Sequence, residues 1–180
     1  KFNLKKKKLV KHGYGRLDAL INQVQNTNIK KDISTNKVVL VAPSWGANGL
    51  IETKGQEIVH LLLDSGFNVI LRPHPMTIKK SNNIIQKIEK EFKDNLNFKL
   101  DIDIRNAESF FLSDCMISDW SGVAIEYAFA FEKPILYVDT PQKINNPECD
   151  QINLVPLEEK IRPQIGEVLS LSQLSLIPSK

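Results

Sequence analysis

The sequence predicts an α/β domain built on a Rossmann-like, doubly wound parallel sheet. Three observations carry that expectation. Four short runs, Val38-Val39-Leu40-Val41, Val69-Ile70-Leu71, Cys115-Met116-Ile117 and Ile135-Leu136-Tyr137-Val138, are near-continuously apolar, as strands covered on both faces are. Segments with helical spacing of apolar residues alternate with them. The first two runs start about 31 residues apart, the size of one βαβ unit. The chain has 180 residues, 42% hydrophobic and 25% charged, which suits one soluble globular domain and excludes a disordered polymer.

The elements follow in order. Residues 1–16 hold Lys1, Lys5, Lys6, Lys7, Lys8, Lys11 and Arg16 with no acid. That is seven of the 24 basic residues, leaving 17 against 21 acidic ones, so the pI near 8.8 belongs to the leader and not to the folded body. Nucleic acid is therefore not expected as a partner. The leader reads either as a solvated lysine-rich segment or as a contact for anionic lipid. After the first strand, residues 51–65 carry Ile58, Leu61 and Leu62 on one side and His60 and Asp64 away from it, a helix ended by Gly66. Residues 82–92 form a second helix with Ile84, Ile85 and Ile88 as its stripe. A short strand at 97–100 and a helix at 106–112 follow. Residues 121–131 are apolar nearly all round, as a buried helix is. Beyond Asp139 a polar, proline-bearing stretch leads into a weakly patterned tail. Cys115 and Cys149 lack metal spacing and read as reduced thiols. No apolar run approaches the roughly 20 residues that span a bilayer. No secretory signal pattern opens the chain.

The chemically informative residues fall where the four strands end. Ala42-Pro43-Ser44-Trp45-Gly46-Ala47-Asn48-Gly49, Arg72-Pro73-His74-Pro75, Ser118-Asp119-Trp120-Ser121-Gly122 and Asp139-Thr140-Pro141 all lie at that edge. Ligands of open parallel sheets bind in the crevice outside the carboxyl ends of the strands. Ser118, Asp119 or Ser121 can cap the following helix. The same helix start can equally hold a phosphate on its amides, with Gly122 allowing close approach. Glu126 is the lone ionisable residue between Trp120 and Phe131. A buried carboxylate needs partners, either a basic side chain or the hydroxyls of a ribose. Arg72 and His74, on a loop stiffened by two prolines, form either a solvated surface turn or a pair that neutralises a diphosphate and donates a proton to a leaving phosphate. Ser44 and Gly46 sit in a loop that can cradle phosphate, without P-loop spacing. No metal site is expected, since Asp101 and Asp103 read as the solvated end of a strand. No cofactor is expected either.

Gly13-Tyr14-Gly15-Arg16-Leu17-Asp18, Ala42-Pro43-Ser44-Trp45, Arg72-Pro73-His74-Pro75, Ser118-Asp119-Trp120-Ser121-Gly122 and Lys133-Pro134-Ile135-Leu136-Tyr137 together resemble the CDP-glycerol glycerophosphotransferase family of teichoic-acid synthesis. The resemblance spans residues 13–147. It implies one half of a GT-B glycosyltransferase fold, the donor-nucleotide domain. It further implies transfer of glycerol phosphate, or a related polyol or sugar group, from CDP-glycerol or another nucleotide-diphosphate donor to a lipid-linked cell-surface acceptor, with release of CMP. By the resemblance His74 is an active-site histidine and Ser121 binds pyrophosphate. The chain departs from the pattern where Gly122 replaces a serine, Trp120 a tyrosine and Gly15 the usual proline. The spacing Ser121-Gly122 to Glu126 is also similar to UDP-N-acetylglucosamine 2-epimerases.

The organisation expected is a basic leader over residues 1–17, reaching from a missing N-terminal domain of the same protein, and a nucleotide-donor domain over 18–180. The candidate catalytic residues are His74 and Arg72. The candidate substrate-binding residues are Ser44, Gly46, Ser118, Asp119, Ser121, Gly122 and Glu126. Alternative readings are a UDP-sugar epimerase or glycosyltransferase of GT-B fold and a non-catalytic nucleotide-binding module. The expected location is cytoplasmic, peripheral on the inner face of a bacterial plasma membrane.

Overall fold

A computed structural model describes residues 5–8, 10–26, 36–103, 105–142, 144, 148–151 and 154–180. Six strands, β1 (Val38–Val41), β2 (Asn68–Leu71), β3 (Phe98–Leu100), β4 (Cys115–Ser118), β5 (Ile135–Asp139) and β6 (Gly166–Ser170), form one sheet. They pair in parallel in the order β3-β2-β1-β4-β5-β6. The chain runs outward from β1 to β3, then returns to β4 and runs outward on the other side. The topological switch point therefore lies between β1 and β4, where a crevice opens at the carboxyl ends.

The unbroken apolar runs are explained by two cores, one on each face. Val39 and Val41 point to the side packed by α2 (Leu50–Asp64) and α4 (Asn82–Phe92). Leu40 and Ala42 point to the other side, against Ala124 and Tyr127 of α6 (Gly122–Phe131). This alternation is the strand period of two, with both faces covered. Helix α2 starts and ends one residue earlier than the spacing predicts. Gly66 takes the left-handed conformation just beyond it, at φ +84°. α4 matches its predicted range, with Ile85, Ile88 and Phe92 inward.

Several expectations are corrected. α5 (Glu108–Leu112) is shorter than 106–112, because the Asn106 side chain accepts from the Glu108 amide at 2.8 Å and caps the start there. α6 is not buried all round: Phe129 is 49% exposed. The stiff loop at Pro75 continues into a short helix, α3 (Pro75–Lys80), with proline in its first turn, where the missing N–H costs nothing. Residues around Arg16 form α1 (Gly15–Asn26), which lies against α6. The weak tail builds α7 (Leu157–Ile165), β6 and a 3-10 stretch over Leu171–Ser179. Only Leu169 of β6 is buried, so the edge strand carries little hydrophobic signal.

Lys133, between α6 and β5, donates from Nζ to the carbonyls of Phe110, Phe111 and Ser113 at 2.9, 2.7 and 2.6 Å. One cation thereby satisfies the orphan carbonyls at the end of α5. Lys133→Met should lower unfolding stability by about 2 kcal/mol, the cost of stranding partly buried acceptors. An unchanged urea midpoint would contradict this role.

Candidate functional site

The crevice at the switch point is braced from below by β4. The Ser118 hydroxyl, fully buried, donates to the Ala42 carbonyl at 2.9 Å. Asp119 follows, also fully buried. Its Oδ1 accepts from the Ser44 amide at 2.6 Å and its Oδ2 from the Leu50 amide at 3.4 Å. One carboxylate thus caps α2 and pins the loop that carries Ser44 and Gly46. Ser118 and Asp119 lie under the crevice and shape it.

Ser121 occupies the N-cap position of α6 but makes no side-chain capping hydrogen bond. The capping alternative for this serine is therefore not the one adopted. Gly122, the first helical residue, is exposed, and a Cβ placed on it would meet nothing within 4 Å. The start of this ten-residue helix thus has open space beside Gly122 and no side-chain cap, with the Ala124 amide bonded back to the Ser121 carbonyl at 3.1 Å.

Glu126 is 7% exposed and has found the basic partner that the sequence left open. Arg16 Nε donates to Oε2 at 2.7 Å and the Tyr14 hydroxyl donates to Oε1 at 2.5 Å. The Gly13–Asp18 motif is explained by this clamp, which ties the start of α1 to α6. The expected boundary between residues 17 and 18 falls inside the continuous α1.

On β2, the side-chain register places Leu71 beside Leu100, so Arg72 and Asp101 come next as neighbours. Arg72 Nη1 donates to Asp101 and, at 2.9 Å, to the Ser109 hydroxyl, with its guanidinium 4.8 Å from the Phe110 ring centre. Both charged side chains are nearly buried, 11% and 12% exposed. Asp101 is therefore a buried ion-pair partner, not a solvated strand end. The Arg72 side chain braces β2 against β3 and α5. His74 caps α3, accepting from the Met76 amide at Nδ1 over 3.0 Å. That donor assigns the proton of the neutral imidazole to Nε2. The imidazole centre lies 6.2 Å from that of the Trp45 ring, with the two planes inclined at 29°.

Sequence reasoning missed Arg162 and the part played by Trp120. Arg162 of α7 is 4% exposed, donates from Nη1 to Asp139 at 3.0 Å and stacks 3.9 Å from the Trp120 ring centre. Its signal was an arginine in a tail without periodicity, so nothing in the sequence singled it out. Burial also pushes the Tyr137 phenol up to about 12. Among the described residues no group of three or more His, Cys, Asp or Glu side chains could hold a metal, and no helix is long and apolar enough to cross a membrane.

The order of strands puts the motif-bearing loops after β1, β2, β4 and β5 on one edge of a doubly wound α/β sheet. A model of the CDP-glycerol:poly(glycerophosphate) glycerophosphotransferase family matches residues 1–143, and the chain belongs to this family. Relatives include the teichoic acid poly(glycerol phosphate) polymerase of Bacillus spizizenii (strain ATCC 23059 / NRRL B-14472 / W23), 31% identical over 147 residues, covering 73% of this chain and 35% of that protein. The teichoic acid ribitol-phosphate polymerase TarL of Staphylococcus aureus (strain NCTC 8325 / PS 47) is 28% identical over 150 residues, covering 76% and 25%. The chain thus spans about a quarter to a third of the length of these curated relatives. Among solved structures, the wall teichoic acid polymerase TagF soaked with CDPG aligns with 24% identity and a TM-score of 0.40, covering 69% of this chain and 28% of that one. The UDP-GlcNAc 2-epimerase of Methanocaldococcus jannaschii aligns with 16% identity and a TM-score of 0.46, covering 87% and 38%.

The hydrogen bond to Glu126, then burial and the negative charge of that carboxylate, hold the Tyr14 phenol above its ordinary value of 10.0. With the folded value raised, the bond contributes fully below pH 10 and is lost as pH rises through the folded value. Absorbance titration at 295 nm should find the first tyrosine midpoint above 10 in the native protein, moving down towards 10 in Glu126→Gln. The same midpoint in both proteins would show that the clamp does not hold in solution.

Proposed function

We propose that this chain is the donor-binding half of a two-domain GT-B glycerophosphotransferase that moves glycerol phosphate, or a related polyol phosphate, from a CDP-linked donor to a cell-surface polymer acceptor. The observation that supports it most is the open, uncapped start of α6 at the switch point, in a chain of the glycerophosphotransferase family. The Ser121 hydroxyl and the first amides of α6 hold the diphosphate, and Gly122 lets it approach the backbone. Glu126 lies one turn along. An ionised carboxylate has about four lone-pair sites, so ribose hydroxyls can share it with Tyr14 and Arg16. Ser44 and Gly46 close the crevice from the β1 side, positioned by Asp119.

In the reaction the acceptor hydroxyl oxygen attacks the phosphorus that carries the glycerol. The new P–O bond forms as the bond to the CMP oxygen breaks, and that oxygen leaves with the electron pair. His74, whose Nδ1 accepts from the Met76 amide, presents Nε2–H as a hydrogen-bond donor to the leaving CMP oxygen and stabilises the negative charge that develops there. Arg72, paired with Asp101 and bonded to Ser109, fixes the end of β2 from which the His74 loop leaves. The proton of the acceptor hydroxyl goes to a base on a preceding domain, which also supplies the surface for the lipid-linked acceptor. The exposed lysines 5–8 meet anionic lipid on the inner face of the membrane.

Two substitutions in the full-length protein test this. Gly122→Val fills open space and should leave the fold intact, while weakening CDP-glycerol binding by about 1–3 kcal/mol as the diphosphate loses its amides. Calorimetry showing native affinity would refute the phosphate site. His74→Ala should cut turnover about 100-fold with donor affinity within a few fold. Normal turnover would remove His74 from the chemistry.

A further inference from the structure

A groove of about 120 Å³ opens beside the start of α6, between the β1–α2 loop and the end of β5. Trp45 and Trp120 are the two aromatic residues of its lining, and Asn48 and Gln142 of the lining are exposed. Trp120 is unusually well fixed. Its Nε1 donates to the Thr140 carbonyl at 2.7 Å. The Arg162 guanidinium stacks on the ring, and Asp139 holds that guanidinium in turn. Arg162 Nε and Nη2 are buried without a hydrogen-bond partner. Unpaired buried donors make an arginine a costly space-filler. What it delivers is an indole held rigid at the crevice.

We infer that this groove is the subsite for the transferred polyol, with Trp120 as its wall and Arg162 as the residue that positions the wall. The inference rests on the proposed placement of the diphosphate at Ser121 and Gly122. Trp120 directly precedes those residues in the chain, so the groove adjoins the diphosphate. Ribose extends along α6 towards Glu126, and the other end of the donor enters the groove. Trp45, which also lines the groove, has its ring beside His74. The group in the groove thus lies one ring away from the histidine that serves the leaving oxygen. The groove is small, about 120 Å³, in keeping with a short polyol. Indole faces pack the C–H groups of a polyol, while the amides of Asn48 and Gln142 reach its hydroxyls.

The test compares CDP-glycerol with CMP, which lacks the transferred group, by calorimetry on the full-length protein. Trp120→Ala should weaken CDP-glycerol about tenfold and leave CMP within about twofold. Arg162→Met should give the same ligand-selective loss, and Arg162→Lys, which keeps a cation over the ring, should retain part of the selectivity. A purely structural role would weaken both ligands together. Equal losses for CDP-glycerol and CMP would overturn the inference. Unchanged affinity for both in Trp120→Ala, with Gly122→Val still weakening both, would overturn it and leave the phosphate site standing. Failure of the unaltered protein to bind either ligand would remove the site and the inference together.

Discussion

Everything at the crevice depends on one buried carboxylate. Asp119 has no solvent exposure, and its two oxygens accept amides from opposite ends of the β1–α2 loop. Burying a charge is expensive unless it is hydrogen-bonded. The expense is offset because Asp119 satisfies the first amide of α2, an orphan donor in any helix, and the Ser44 amide, which the turn would otherwise strand. The geometric result is that the loop after β1 and the turn after β4 cannot move independently. Those are the two segments that flank the switch point, and a ligand there meets a preformed surface.

The second constraint is the contrast between neighbouring helix starts. α2 has its first amide taken by Asp119, and α3 has one taken by His74. α6, whose N-cap serine makes no side-chain capping bond, has open space beside Gly122. Glu126, one turn further, is held by Tyr14 and Arg16, which ties the segment leading into α1 to α6.

The sheet and most of its helices were legible because both-face burial writes itself as unbroken apolar runs, and one-face burial as the Ile85, Ile88 stripe. The convergence of Ser121, Gly122, His74 and Ser44 on one edge was legible too, since parallel strands all point their ends the same way. What stayed hidden depends on contacts between distant segments. Asp101 looked like a solvated strand end because its partner, Arg72, is 29 positions away and adjacent only through the β2–β3 register. Glu126 advertised its need for a partner but not which one, and its answer lies 110 residues upstream at Arg16. Arg162 precedes Pro163 in a helix whose apolar residues, Leu157, Ile161 and Ile165, draw attention to other positions, so its place over Trp120 has no local signature.

The central claim is that a nucleotide diphosphate rests on the start of α6 at the switch point. Amide hydrogen exchange on the full-length protein, read by mass spectrometry with and without CDP-glycerol, addresses it most directly. The account predicts slower exchange on ligand addition in peptides covering residues 119–126 and 43–50, with little change in peptides covering α4. Protection elsewhere in the chain, with residues 119–126 exchanging at the same rate in both states, would contradict it.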